Sequence, residues 1–152
     1  MTNYVDLLMN SLVTYSYGRG EPLIDSKEKA KKAAKAALSK KAKDTVILEL
    51  KDLSTIADYF IICSGESSTQ IRTIAETIKE KFSKYKMLLL GIEGLNFARW
   101  VLMDYGDVVI HIFSKESRDY YELEKLWLDA PRISIDKSMH NPVHTKEKKK
   151  SK

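Results

Sequence analysis

The residues best suited to chemistry are a serine-rich turn and a pair of aspartates. The tetrapeptide SGES at 64–67 follows an apolar run, where a Gly-Ser turn could hold a triphosphate, and Asp104 and Asp107 could hold divalent metals. Together they would suit metal-dependent nucleotidyl transfer. However, Glu66 brings negative charge to the phosphate position, and the two aspartates are ordinary formers of a tight turn. We therefore predict no catalytic residues and no enzyme, with a metal-dependent nucleotidyltransferase or nucleotide-binding domain as the alternative.

The cysteine and the histidines give weaker signals. Cys63 ends the apolar run YFIIC and is expected to be a small buried hydrophobe; a single cysteine permits no internal disulfide and suits a reducing cytosol. His111 lies between two isoleucines and is either a hydrogen-bonded structural residue or part of a docking surface. His140 and His144 have the spacing of a metal pair, but Pro142 disfavours a helix there. We predict neither a metal nor a cofactor.

Large aromatic side chains concentrate between Arg99 and Trp127, on both sides of the turn sequence DYGD at 104–107. Such a density of Trp and Tyr is typical of either a small core or a docking surface, and these types carry much of the binding energy of protein interfaces. If residues 119–129 form one helix, four residues share a face at i, i+3, i+4 and i+7: Tyr120, Leu123, Glu124 and Trp127. One face of that helix must cover a sheet, and the other is free to contact a partner.

Apolar periodicity predicts the elements that would position these residues. Asp25 or Ser26 caps a helix that runs to about Ala42, and Ser67 caps a second helix. The apolar face of the second helix comprises Ile71, Ile74, Ala75, Ile78 and Phe82. Five strands are predicted at 45–50, 55–63, 86–92, 99–104 and 107–113, and Pro131 ends a final helix. This order indicates an α/β sandwich with helices packed on a mixed five-stranded sheet.

Length and charge divide the chain into three parts. Its 152 residues suit one domain, predicted at 26–131, with a loosely ordered extension at 1–25 and a basic, disordered tail at 132–152. Residues 44–131 carry fifteen acids and ten bases, a net charge of −5; because the whole chain carries +5, the flanks together carry +10. Lysine runs of this kind are either solvated or attract RNA phosphates weakly. No run is apolar enough to span a membrane and no signal peptide is evident, which predicts a cytoplasmic protein.

Four blocks of sequence resemble the ribosomal silencing factor family, also called Iojap-like or RsfS: SGESSTQIRTIAETI, GIEG, RWVLMDYGDVVIHIF and RDYYELEKLWLDAP. They occur in the expected order between Ser26 and Pro131. The resemblance implies a nucleotidyltransferase-like fold that lacks the catalytic site. It also implies a translational repressor that binds the large ribosomal subunit at its fourteenth ribosomal protein. Bound there, such a repressor sterically blocks association with the small subunit, especially when nutrients are limiting.

An acidic, aromatic surface suits that partner, because ribosomal proteins are typically basic. Residues 105–129 contain six acids against three bases. We predict that the hairpin at 99–113 and the segment at 118–127 form the docking face, through Trp100, Asp104, Tyr105, Asp107, His111, Arg118, Tyr120, Tyr121, Glu124 and Trp127. The lysine-rich ends would allow weak contact with ribosomal RNA, and an exposed apolar face would also allow the free protein to form a homodimer.

Overall fold

A computed structural model describes residues 24–135, so His140 and His144 lie outside the described residues. The helices are α1 (Ser26–Ser39), α2 (Ser68–Lys84), α3 (Lys115–Tyr121) and a 3-10 helix (Leu123–Trp127). The strands are β1 (Lys43–Glu49), β2 (Tyr59–Gly65), β3 (Gly91–Glu93), β4 (Trp100–Asp104), β5 (Val108–Ser114) and β6 (Arg132–Ile133). Among these residues, no helix combines the length and the apolar character needed to cross a bilayer.

The strands form one mixed sheet in the order β3-β4-β5-β2-β1-β6, in which β2 and β5 are parallel and all other neighbours are antiparallel. The α/β class and the mixed sheet are therefore confirmed. The sheet has six strands rather than five, because Arg132 and Ile133, beyond the predicted boundary at Pro131, pair with β1. The strand predicted at 86–92 is reduced to a short edge, where pairing with β4 starts only near Leu90, whose N–H donates to the carbonyl of Asp104.

Two capped helices cover one face of the sheet. The Asp25 side chain accepts the N–H of Glu28 and the Ser67 hydroxyl accepts the N–H of Gln70, so both predicted caps are confirmed. The predicted apolar face of α2 is fully buried, and the small alanines of α1 allow that helix to approach the strands closely. The Gln70 amide donates to the carbonyls of Lys40 and Lys41, which joins the start of α2 to the end of α1. The two helices are therefore antiparallel neighbours.

The opposite face of the sheet is covered by α3, the 3-10 helix and the loop after β1. The prediction of one helix over 119–129 is wrong, because Glu122 adopts a left-handed conformation with φ 48° and ψ 48°. Its N–H donates to the carbonyl of Arg118 and ends α3. Tyr120 consequently points to solvent while Leu123 is buried against the sheet, so the two do not share a helix face.

The one cysteine of the chain lies in the core. Cys63 is fully buried on the α1–α2 side, as predicted, and burial raises the pKa of its thiol to about 12.

At the other end of β2, the Lys29 ammonium of α1 forms an ion pair with the Asp107 carboxylate, and the Asp107 carbonyl accepts the N–H groups of Asp58 and Tyr59. This ion pair ties α1 to the start of β5.

We expect Lys29→Met to lower the free energy of unfolding by about 2 kcal/mol, because it leaves a partly buried carboxylate without its cation. Urea denaturation followed by circular dichroism would measure the change. The matched control is Lys115→Met, which removes the exposed ion pair to Asp119 and should change stability by less than about 0.5 kcal/mol. Equal effects of the two substitutions would show that burial of the Lys29 pair has no energetic consequence.

Candidate functional site

The structure separates the residues predicted to form one docking face. Successive side chains of a strand point to opposite faces, so Trp100 at one end of β4 and Tyr105, just beyond its other end, lie on opposite sides of the sheet. Tyr105 and Asp107 contact α2 and α1, respectively, and Asp104 lies at the hairpin turn between them and the end of β4. Trp100, His111, Tyr121 and Trp127 belong to the opposite side, which we call the aromatic face.

The hairpin-turn residues serve the fold. The Asp104 carboxylate accepts the N–H of Gly106 over 2.8 Å, which fixes the turn. Tyr105 is buried against Phe82 of α2 with ring centroids 4.6 Å apart, and burial raises the pKa of its phenol to about 12. Asp107 holds Lys29. Asp104 and Tyr105 therefore offer almost no surface to a partner, which corrects their placement in the docking face.

Trp100 and His111 form a buried pair on the aromatic face. The indole N–H of Trp100 donates to Nδ1 of His111 over 3.1 Å, which requires the neutral tautomer with its proton on Nε2. Phe60 packs on the imidazole at 4.5 Å, and Trp127 approaches Phe60 edge-on at 6.2 Å. Burial lowers the pKa of His111 to about 3. His111 is thus the hydrogen-bonded structural residue that was one of its two predicted roles, and it is inaccessible to a partner.

Arg118 fastens the aromatic face to the sheet. Its guanidinium donates to both carboxylate oxygens of Glu124, over 3.2 and 2.8 Å, and to the Ser64 hydroxyl at the end of β2 over 3.0 Å. The Arg118 side chain is only 13% exposed. Such a two-pronged pair is geometrically restrictive, so it fixes α3 relative to the 3-10 helix across the break at Glu122. Arg118 and Glu124 position the face rather than project from it.

The exposed part of the aromatic side is a groove between α3 and the turn that precedes β4. The groove has a volume of about 1350 Å³, and Trp100 and Tyr121 are among its lining residues. Phe97 and Tyr120 are each 80% exposed, the largest exposures of aromatic side chains among residues 24–135. We call this the docking groove; its principal residues are Glu66, Leu95, Phe97, Arg99, Trp100, Glu116, Tyr120 and Tyr121.

Phe97 lies outside the predicted docking face because it precedes the hairpin at 99–113. The available signal was an aromatic residue in a polar turn, GLNFAR at 94–99, where no core role is expected. The turn is rigid: the Gly94 carbonyl accepts the N–H of Ala98 over 2.9 Å. Arg72 of α2 donates to the carbonyls of Leu95 over 3.0 Å and Asn96 over 2.6 Å. Phe97 is therefore presented on a fixed support.

The serine-rich turn that suggested nucleotide chemistry has other hydrogen-bond roles. The Ser67 hydroxyl caps α2 and the Ser64 hydroxyl accepts from Arg118. A neighbouring cavity of about 940 Å³ is lined by both signs of charge, and Lys43 pairs with Glu66 there. In the part of the chain that the structure describes, no group of three or more His, Cys, Asp or Glu side chains is placed to hold a metal ion.

Comparison with known proteins gives a consistent result. The family model described as ribosomal silencing factor during starvation matches residues 24–152. The ribosomal silencing factor RsfS of Bacillus subtilis is 44% identical over 117 residues, which cover 77% of this chain and 99% of that protein. A mouse relative named mitochondrial assembly of ribosomal large subunit protein 1 is 32% identical over 89 residues, covering 57% of this chain and 39% of that protein.

Solved structures confirm the fold. A crystal structure of a protein from Bacillus halodurans matches with a TM-score of 0.64 and 40% identity, covering 72% of this chain and 99% of that one. A second, from Chromobacterium violaceum, matches with a TM-score of 0.68 and 30% identity, covering 78% of this chain and 98% of that one.

Gly94→Ala should destabilise the fold by about 2 kcal/mol or more, because Gly94 has φ +90° and an added Cβ would lie 2.0 Å from the Trp100 carbonyl oxygen. Thermal unfolding would measure the loss. The control is Gly91→Ala, where an added Cβ meets nothing within 4 Å. If both variants kept the wild-type melting temperature, the turn would not be as fixed as its contacts indicate.

Acid should weaken the fold through His111. The folded-state pKa is about 3 and the ordinary value is 6.5, so the unfolded state binds a proton that the folded state refuses. The contribution of neutral His111 to stability is then nearly complete at pH 7.5 and is lost as the pH falls through 6.5, by about 1.4 kcal/mol between pH 7.5 and 5.5. Urea denaturation across this range should show a shallower slope for His111→Gln, which keeps an acceptor for Trp100. Identical slopes would contradict the assignment.

Proposed function

Since the chain belongs to the ribosomal silencing factor family, we propose that it represses translation by binding the large ribosomal subunit at its fourteenth ribosomal protein. Its bulk would then prevent the small subunit from joining. The observation that carries this proposal is the docking groove, where Phe97 and Tyr120 project into solvent from two rigid supports. A cytoplasmic location follows from that role.

Exposed aromatic side chains on fixed supports are well suited to binding. Burying a large aromatic ring releases much ordered water, and a ring that is already held in place loses little conformational entropy on binding. Phe97 is held by the turn that Arg72 and Gly94 stabilise. Tyr120 packs edge-on against Tyr121, with centroids 4.9 Å apart. The groove therefore presents anchors of the kind that dominate interface energies.

The charge of this side favours a basic partner. All three cations of α3 and the 3-10 helix, Lys115, Arg118 and Lys125, are already paired with acids. Glu116 lines the docking groove, is exposed, and makes no ion pair with residues 24–135. The groove is lined by one cation, Arg99, and by two acids, Glu116 and Glu66, of which Glu66 also pairs with Lys43. A basic ribosomal protein would find complementary charge here, which aids specificity and the rate of encounter.

Steric repression needs affinity and position but no bond chemistry. An interface of standard size, about 800 Å² on each partner, is enough for stable binding when it contains good anchors. The rest of the domain then occupies space on the subunit surface. The large-subunit wording in the name of the mouse relative agrees with the choice of subunit. The same exposed groove would allow two free copies to dimerise in the absence of the ribosome.

Co-sedimentation with separated ribosomal subunits tests the proposal. Purified protein should comigrate with large subunits and not with small subunits, and large subunits incubated with it first should form fewer joined ribosomes. Titration calorimetry with ATP and magnesium should show no heat. Absence from all ribosomal fractions at low salt would contradict the proposal, and heat on nucleotide addition would favour the nucleotide-binding alternative.

Phe97→Ala and Tyr120→Ala should each weaken binding to large subunits by about 2 kcal/mol, roughly 30-fold, because each removes an anchor from the groove. Neither should change stability by more than about 0.5 kcal/mol, since both side chains are exposed. Sedimentation binding curves and thermal melts measure the two quantities. Leu88→Ala is the control: Leu88 is 67% exposed and does not line the groove.

Trp100→Ala should mainly reduce stability, whereas Phe97→Ala and Tyr120→Ala should mainly reduce binding affinity, so the comparison distinguishes core residues from binding anchors. It removes a buried ring and the hydrogen bond to His111, so it should lower the free energy of unfolding by about 3–5 kcal/mol. Wild-type affinity of folded Phe97→Ala and Tyr120→Ala proteins would place the docking face elsewhere.

A further inference from the structure

The α1–α2 layer, of which only the first turn of α2 reaches the docking groove, carries many cations without ion-pair partners. From Lys27 to Lys43 the chain has eight lysines and one glutamate, and residues 68–86 have five bases and two acids. Within residues 24–135, only Lys29 and Lys43 of the first segment form ion pairs. None of the five bases of the second segment is in an ion pair within that range. Most cations of residues 24–135 that form no ion pair therefore lie in these two segments. One of them, Arg72, is bound instead to the carbonyls of Leu95 and Asn96.

These cations form one surface, because α1 and α2 lie side by side. Lys32 of α1 reaches across to Tyr85 after α2, with its ammonium 4.6 Å from the ring centroid. At the other end, Gln70 contacts the carbonyls after α1. Lys27, Lys31 and Lys35 follow one another at i, i+4 spacing, about 6 Å apart along the axis of α1. Lys81 and Lys84 are exposed on α2.

The lysine series is unfavourable for the isolated fold. Like charges at i, i+4 spacing repel each other by about 0.2–0.5 kcal/mol for each pair. Glu28 is the single acid of α1, and no lysine of this series forms an ion pair within residues 24–135. A regular series of cations without partners gains energy from a regular series of anions. The sugar-phosphate backbone is such a polyanion, and binding it releases condensed counterions.

We propose that the α1–α2 layer binds the phosphate backbone of ribosomal RNA, so that the domain contacts protein through its docking groove and RNA through the outer sides of α1 and α2. This rests on the proposed function, which places the domain on the large subunit. An anionic membrane is the less suitable polyanion, since interfacial helices insert an apolar face. The apolar face of α1 is buried against the sheet, and its fully exposed positions hold only lysine, glutamate and serine.

The test uses the full chain with four substitutions, Lys27→Gln, Lys31→Gln, Lys35→Gln and Lys84→Gln. The matched control has the same change in net charge in the tail: Lys146→Gln, Lys148→Gln, Lys149→Gln and Lys150→Gln. Binding to large subunits is measured from about 50 to about 200 mM potassium chloride, where phosphate contacts are strongly salt-dependent. Binding to a labelled RNA duplex and to the isolated fourteenth ribosomal protein is measured in parallel.

The helix variant should lose more than about tenfold in affinity for large subunits at low salt, and the slope of log affinity against log salt should become shallower by about 3 to 4. Its binding to the duplex should fall in the same way, while its binding to the isolated ribosomal protein stays at the wild-type level. The tail variant should keep the wild-type slope. These results together would support the α1–α2 layer as the RNA contact.

Other outcomes would overturn the proposal. An unchanged slope in the helix variant, or a slope lost only in the tail variant, would remove the RNA role from this layer. Binding to vesicles of phosphatidylserine is measured as well. If the wild-type protein binds these vesicles but not the duplex, and the helix variant loses vesicle binding, the surface would be assigned to membranes. If wild-type protein binds the duplex through these lysines but never binds large subunits, the RNA surface stands and the proposed function fails.

Discussion

The parallel pairing of β2 with β5 is the constraint on which the rest of the structure depends. These two strands lie at the middle of the sheet, and every residue of β2 and nearly every residue of β5 is buried on both sides. A sheet with such a centre must be covered on both faces. The chain covers one face with two long helices and the other with a short helix, a 3-10 turn and loops. Two chemically different surfaces result from this single requirement.

The coverings differ in how they can carry function. The long helices bury a continuous apolar stripe, so their outer sides are free to hold charge without disturbing the core. The short elements of the other face cannot bury a stripe of that length, and they depend on aromatic contacts and on the Arg118–Glu124 pair. Their side chains consequently range from buried, as Leu123 is, to largely exposed, as Tyr120 is. That contrast creates a groove with anchors rather than a flat patch.

The elements dominated by local signals could be predicted from the sequence. Asp25 and Ser67 cap their helices where expected, and the stripe from Ile71 to Phe82 is buried because helical periodicity leaves it no alternative. The site was harder to predict. Strand alternation predicts that Trp100 and Tyr105 lie on opposite faces, since they are five positions apart. The left-handed conformation of Glu122 cannot be predicted from its residue type, because packing around Arg118 and Leu123 favours it. The position of Phe97 could not be predicted either, because its turn is held by hydrogen bonds from Arg72 of α2, which is distant in sequence.

Cys63 provides a built-in reporter of global unfolding. It is the single thiol of the chain and it is fully buried at the centre of the sheet. With a pKa of about 12, almost none of it is thiolate at neutral pH while the protein is folded. A thiol reagent should therefore modify the chain only at the rate at which the central strands open, so that labelling kinetics read out the opening of β2 without any engineered probe.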